Sequence, residues 1–491
     1  MPNTLTRRGV LFGGASLFGS AALAEAPPRS DRPRVRPWAP AGAADVLARS
    51  GLSGRHAAFL LDAASGRPLD AFESGLSLPP ASTLKAITAL YSLDALGAGF
   101  RFRTRLRATG PIEAGTLRGD LILQGGGDPR LDTDDLSAMA EALAALGVHS
   151  VSGRFLVDAT ALPEVETIDR GQPPHASYSP ALGGLNLNFN RVHFEWGRQG
   201  SGYAVTMQAR AAANSPDVAR TRIRIEDRSI PVFEFARGGP GAGATEDWSV
   251  ARGALGGGGS RWLPVRAPDL YAGEVFATLA GAKGIRLAEP APGRAPEGAA
   301  ELVRYESPPL ETVLTDMLRF STNVTAEATG LTASAQQGRV PGGLIASGAA
   351  MAQWMEGRHR AAGDFVDHSG LGDASRITAA SLAQVMAQAA PGPLPGMLKP
   401  FALADGPGPA APGLEVMEKT GTLNFVSTLA GYIGVPGERP GLAFAILSAD
   451  VPRRAAIPVA ERERPAGARS WERTARGLQR RLLAGWIASH G

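Results

Sequence analysis

Hydrophobic and polar positions along the chain change their period more than once. Ala57-Ala58-Phe59-Leu60-Leu61-Asp62, a Ser65-Gly66 turn and Leu69-Asp70-Ala71-Phe72 predict a β-hairpin. In the next segment Leu84, Ile87 and Tyr91 recur at helical spacing, with Pro79-Pro80 before them and Gly97 after them, so a helix is expected there. Between about residues 104 and 300 short strand-like runs (Leu121-Ile122-Leu123-Gln124, Arg154-Phe155-Leu156-Val157, Val192 to Trp196, Thr221 to Ile225) alternate with turn clusters. Gly238-Gly239-Pro240-Gly241 and Gly256 through Gly259 read as mobile surface loops. From about residue 301 the helical period returns, and Leu310, Val313, Leu314, Met317 and Leu318 outline an amphipathic helix that stops at Phe320. Three strand-like runs, Glu415 to Thr422, Thr428 to Ile433 and Leu442 to Leu447, predict an antiparallel meander, and a last amphipathic helix covers about Trp471 to Ile487.

The ends of these patterns suggest a division of the chain. Thr6-Arg7-Arg8-Gly9-Val10-Leu11, a short apolar run through Leu17 and Phe18, and Ala22-Leu23-Ala24 read as a cleaved export signal of the twin-arginine type over residues 1–24. The run is too short to span a bilayer, so no transmembrane span is expected. Residues 25–40, with Pro27, Pro28, Pro33, Pro37 and Pro40, read as a linker. A chain of 491 residues exceeds one ordinary core. The expected plan is one domain built from residues 41–103 and 301–491, enclosing a β-rich insertion over residues 104–300.

Composition narrows the chemistry. With 50 basic and 46 acidic residues and no basic run, neither nucleic acid nor an anionic membrane surface is an expected partner. The absence of cysteine excludes disulfides and thiolate nucleophiles. The seven histidines are scattered without helical ligand spacing, so neither a metal nor another cofactor is expected. One skew points the other way. Only four of the fifty basic residues are lysines, and two of them sit in short patterns that need lysine: Ser82-Thr83-Leu84-Lys85 and Lys419-Thr420-Gly421. Arginine stays charged, whereas a desolvated lysine can lose its proton and act as a base.

Ser82 and Lys85 lie one turn apart at the start of the expected helix, where their side chains can touch. Ser321-Thr322-Asn323 follows a helix end directly, and Lys419-Thr420-Gly421 lies on a strand. Each pattern is weak alone; order and context give the set its force. A serine oxygen needs a base to become a nucleophile, and Lys85 can supply one if the helix dipole and the ammonium of Lys419 lower its pKa. Ser321 can relay a proton to the leaving group, and Asn323 can orient both lysine and substrate amide. Lys419 with Thr420 and Thr422 offers a pocket for a terminal carboxylate, and Gly421 leaves room along the strand edge. The N–H groups of Ser82 and Thr422 are the natural oxyanion donors.

Taken together the trio is similar to that of β-lactamases and penicillin-binding proteins. The wider chain resembles the class C low-molecular-mass penicillin-binding proteins, the type-4 D-alanyl-D-alanine carboxypeptidase/endopeptidases. The likeness includes Leu78-Pro79-Pro80-Ala81-Ser82-Thr83-Leu84-Lys85, Gly127-Asp128-Pro129, and Lys419 to Leu423 followed by Leu429-Ala430-Gly431-Tyr432. Asp367-His368-Ser369-Gly370-Leu371 resembles that family's Asp-Gly-Ser-Gly-Leu stretch, with His368 in place of glycine. The long separation of Ser82 from Ser321 is also a family trait.

This resemblance implies an α/β (α+β) serine β-lactamase/transpeptidase-like domain, an antiparallel sheet flanked by helices, carrying the large insertion. It implies a periplasmic serine DD-peptidase acting on peptidoglycan stem peptides through an acyl-serine, with β-lactam antibiotics as covalent inhibitors. A β-lactamase or ester hydrolase would need a glutamate placed for fast deacylation, and none stands out; an inert peptidoglycan-binding protein is the remaining alternative. One departure concerns selectivity. Family members that read the diaminopimelate side chain use an acid shortly before an aromatic-Ser-Ala-Pro-like stretch, but Tyr178-Ser179-Pro180-Ala181 follows Gln172-Pro173-Pro174-His175, and Asp169 lies further upstream.

Overall fold

Every residue from Leu442 to Ala449 is buried, and an uninterrupted apolar strand must be covered on both faces. The strand lies inside a six-stranded antiparallel sheet ordered Pro68–Phe72, Arg55–Asp62, Leu442–Ala449, Val426–Gly434, Glu415–Leu423, Lys399–Pro400. Alternation sorts its side chains. Ala57, Leu61, Ala430, Ala443, Ala445 and Leu447 join a core with Leu84, Ile87, Leu382 and Met386 of the helices Leu84–Leu96 and Ala379–Ala389. Ala58, Leu60, Leu429, Phe444 and Ile446 pack on Leu478, Leu482, Leu483 and Trp486 of the C-terminal helix Ala468–His490. The sheet between helical layers is the transpeptidase-like arrangement that the sequence suggests.

The segment that carries Ser82 enters this layer through a tight turn, Ala81–Thr83, that continues into the helix Leu84–Leu96. Gly97 ends the helix with φ near +80°, a conformation glycine adopts without strain. Helices Leu310–Phe320 and Asn323–Gln336 follow one another with only Ser321 and Thr322 between them.

Residues 103–306 carry a separate core around Leu106, Leu121, Phe155, Trp248, Tyr271 and Phe276. A five-stranded mixed sheet runs in the order Pro290–Pro292, Phe155–Asp158, Leu121–Gln124, Arg103–Ala108, Ala300–Glu306. Three three-stranded sheets accompany it, one of Gly202–Gln208, Arg191–Gln199 and Gly258–Pro264, one of Thr221–Glu226, Thr245–Ala251 and Phe233–Gly238, and a small one of Ile112–Glu113, Thr116–Leu117 and Ser150–Val151. Two helices, Thr133–Ala145 and Pro268–Ala282, are additions to the strand-only reading. The first has a sequence signal, a capping box between Asp132 and Asp135 ahead of Leu136, Met139 and Leu143. The expected loop at Gly256 through Gly259 is half strand: Gly259 lies beneath Trp196, whose ring a Cβ would meet at 2.8 Å.

This computed structural model describes residues 42–239, 244–339, 342–401 and 413–491, within one compact unit. The leader, the whole of the linker 25–40, and Pro240-Gly241 of the glycine loop lie outside the described residues. None of the described helices is long and apolar enough to cross a membrane.

Candidate active site

Lys85 is fully buried, and its Nζ donates to Ser82 Oγ at 3.0 Å, to Asn323 Oδ1 at 2.8 Å and to the Ser369 carbonyl at 2.8 Å. Three acceptors satisfy an ammonium. After loss of one proton, two N–H groups remain for Asn323 and Ser369, which leaves the lone pair directed at Ser82. Burial pushes the ammonium down to about 8, while Glu327 and Asp367 push it back up. The helix dipole and Lys419 were the expected causes, but desolvation is the largest, and the two carboxylates opposing it were missed.

Those carboxylates brace the turn that holds Lys85. Glu327 Oε2 and Oε1 accept the N–H groups of His368 and Ser369, both at 2.9 Å. Asp367 accepts the N–H groups of Gly370 at 2.8 Å and Gly372 at 2.6 Å. Burial first, then Asp367, pushes Glu327 up to about 8. A sequence signal existed: Glu327 lies four residues after Asn323 on one helix, flanked by Ala326 and Ala328 at positions that are all buried. His368, which replaces the family's glycine, fits because Gly330 faces it; a Cβ there would come within 2.2 Å of the ring. Its Nε2 lies 2.7 Å from Ser347 Oγ, and burial lowers it to about 3, so the ring is neutral.

Ser321 caps its helix in the left-handed region, φ near 59°, and its Oγ accepts from Lys419 Nζ at 3.1 Å. Lys419, 1% exposed, also donates to the Thr420 carbonyl at 2.8 Å. Burial first, then Lys85 and Lys399, holds its ammonium well below the usual range. These hydrogen bonds of Lys419 end on neutral oxygens, so an incoming carboxylate would supply the missing counter-charge. Asn323 uses its other end to donate from Nδ2 to the Tyr178 carbonyl at 2.8 Å.

Among the described residues the strand Glu415–Leu423 pairs outward at Lys399↔Glu418 and Pro400↔Met417, and the Phe401 N–H donates to the Val416 carbonyl at 2.8 Å; no described strand pairs with the edge from Lys419 onward, where an extended peptide could add. Gly421 has another role besides giving room at that edge. A Cβ on it would meet Thr428 Oγ1 at 2.1 Å and the Ser82 nitrogen at 2.8 Å, so the strand can press against the Ser82 turn only through glycine. Ser82, Ser321, Asn323 and Thr422 line one cavity of about 840 Å3, with Thr420 half-buried beside it. Asp169 reaches this cavity only indirectly: it accepts from Gln172 Nε2 at 2.7 Å, and Gln172 Oε1 accepts from Tyr178 Oη at 3.1 Å. Among the described residues no cluster of histidine and carboxylate side chains is arranged to hold a metal ion.

The chain is similar to known proteins. A family model described as the D-Ala-D-Ala carboxypeptidase 3 (S13) family matches residues 41–465. A D-alanyl-D-alanine carboxypeptidase of Actinomadura sp. (strain R39) is 30% identical over 432 residues, covering 79% of this chain and 76% of that protein. The crystal structure of penicillin binding protein 4 from Haemophilus influenzae superposes with a TM-score of 0.70 at 19% identity, covering 90% of this chain and 99% of that one. The same protein complexed with a β-lactam superposes with a TM-score of 0.67 at 19% identity. At that identity the two structures speak for the fold.

Proposed function

Because the chain belongs to the D-Ala-D-Ala carboxypeptidase 3 (S13) family and is a serine-type D-Ala-D-Ala carboxypeptidase, we propose that Ser82 is its nucleophile and Lys85 its general base. Ser82 Oγ attacks the carbonyl carbon of the penultimate D-Ala while its proton moves to Lys85 Nζ. The N–H groups of Ser82 and Thr422 take the oxyanion. Collapse breaks the C–N bond, and terminal D-Ala leaves with a proton passed through Ser321. Water then attacks the ester, its proton goes to Lys85, and Ser82 is restored. Asn323 orients Lys85 and the substrate amide, while Lys419, Thr420 and Thr422 hold the terminal carboxylate and Gly421 keeps the strand edge close.

The observation that carries this reading is the 3.0 Å separation of Lys85 Nζ from Ser82 Oγ, with both other Lys85 hydrogen bonds fixed. The same steps with a larger leaving group cleave cross-links, so endopeptidase action on peptidoglycan belongs to the proposal. Penicillin enters the same acylation and stays, because no described glutamate of the site is free to act as a deacylating base: Glu327 is committed to two backbone N–H groups beside Lys85, Glu463 in the cavity wall to Arg261 and His175, and Glu472 to Arg476. The setting is the periplasm, reached through the twin-arginine leader 1–24 and joined by the linker 25–40 to a catalytic part, 41–103 and 301–491, that encloses the insertion 104–300.

A fluorescent penicillin tests the assignment. A stable adduct on Ser82, absent in Ser82→Ala, is expected; rapid turnover would favour the β-lactamase alternative, and absence of labelling the inert one.

A further inference from the structure

Residues 159–187, between the strands Phe155–Asp158 and Arg191–Gln199, form no helix, and their ladder pairing is a single isolated bridge of Val165 with Leu182. Gln172 and Tyr178 of this segment line the cavity of Ser82. Leu162, Leu182 and Gly183 line a second cavity, of about 750 Å3, whose other walls include Glu246 and the start of the helix Pro268–Ala282. A segment that walls two cavities depends on its hydrogen bonds for position.

One side chain supplies three of them. Arg266, 8% exposed, donates from Nη1 to the Ser179 carbonyl at 2.9 Å and the Glu166 carbonyl at 3.3 Å, and from Nη2 to the Pro174 carbonyl at 2.6 Å. These acceptors are spread along the segment, and a planar group with several donors gathers them at one point. Arg266 is itself fixed. One oxygen of the buried Glu246 carboxylate accepts the backbone N–H groups of Arg266 and Ala267, both at 2.8 Å. Ala267 is the N-cap of Pro268–Ala282, so the carboxylate also answers the positive end of that helix.

The other end of this series of contacts is Lys85. Tyr178, next to Ser179, presents its carbonyl to Asn323 Nδ2 at 2.8 Å, and that bond decides which way the amide faces. With Nδ2 committed there, Oδ1 is left to accept from Lys85 at 2.8 Å. An amide turned over would aim a donor at Lys85 in place of an acceptor, and the amine lone pair would lose its direction towards Ser82. Among the described hydrogen bonds no carboxylate meets the Arg266 guanidinium, so its burial is costly to folding.

We propose that Arg266 is a positioning residue for acylation: it holds the 166–179 segment so that the Tyr178 carbonyl fixes the Asn323 amide with Oδ1 towards Lys85. The inference rests on the peptidase reading above. Arg266 is absent from the lining of the Ser82 cavity, so it acts on rate and not on binding, and through it the insertion takes part in setting the base.

Acylation by a fluorescent penicillin, followed to saturation, separates the limiting rate constant from the half-saturating concentration. Both report only sites that react, so a loss of folded protein does not change them. Arg266→Met should lower the limiting rate constant by about 30-fold and leave half-saturation within about twofold. Arg266→Lys keeps the charge without the planar fork and should fall by about tenfold. Asn323→Ala then reveals whether the effect runs through Asn323. In that background either Arg266 substitution should cost less than about a further threefold, because the amide it positions is gone. A limiting rate within about threefold of the parent in both Arg266 variants, a change confined to half-saturation, or the same loss with and without Asn323 overturns the positioning role and leaves the peptidase standing. No penicillin adduct on Ser82 of the parent protein overturns both.

Discussion

At the floor of the cleft Lys85 and Lys419 are buried and their hydrogen bonds end on neutral oxygens, whereas at its rim Arg464, Arg469 and Arg473 are exposed and have no partner among the described residues. Both regions gather basic side chains around the cavity that Ser82 and Ser321 line, yet they suit different work. In a dry site the charged form of lysine is disfavoured, which turns an ammonium into a base near neutral pH. At a wet rim the guanidinium keeps its charge at any accessible pH and attracts anions without taking part in proton transfer. Burial therefore decides which cations can do chemistry.

The comparison breaks most sharply at Lys85. Lys85→Arg keeps the positive charge but places at the floor a group that does not deprotonate. Acylation by penicillin and release of D-Ala should both fall by about 1,000-fold or more, with Ser82 itself unchanged. Stopped-flow acylation checks this, and a variant within a few-fold of the parent would remove Lys85 from the role of base.

The residues behind that prediction were the easiest to read from the sequence. Ser82 with Lys85, Ser321 with Asn323, and Lys419 with Thr420 to Thr422 are local patterns, each set by one turn of helix or one strand. The central strands were equally plain, because Leu442 to Leu447 is apolar without a break. What stayed hidden depends on contacts between distant segments. Glu327 matters only because Asn323–Gln336 lies against the Asp367 to Gly372 turn, and the pairing of His368 with Gly330 arises from the same packing. The arginine rim forms only when residues near 462 meet Gly171, far back in the chain. Helix Thr133–Ala145 is a different case: its capping box was present, but the surrounding strand texture masked it.

Glu327→Gln sharpens the contrast within the floor. Lys85 at about 8 can serve as the proposed base only when neutral, so the acylation rate of the parent should rise with pH through about 8. Glu327, itself pushed up to about 8, raises Lys85 only as far as it is ionised; removing that charge lets Lys85 fall, and the acid limb should move to lower pH. The substituted amide keeps one acceptor oxygen for the two N–H groups of His368 and Ser369, so the rate above the limb should drop by about tenfold as the turn loosens. A lower rate with an unmoved acid limb would leave Glu327 a purely structural brace.

The rim should give the smallest effect, and salt is the probe that reaches it selectively. Screening shortens from about 10 Å at 0.1 M to about 3 Å at 1 M, which weakens exposed charges and leaves buried pairs nearly untouched. The second-order rate constant for acylation by penicillin, an anion, should therefore fall by about three- to fivefold across that range, while in the triple variant Arg464→Gln, Arg469→Gln, Arg473→Gln it changes by less than about twofold. Parent and variant keep the same Lys419, so any salt effect on that pocket cancels in their ratio. An equal response of the two proteins would place the salt-sensitive step at the floor, and rim and floor would then no longer differ in the way their burial implies.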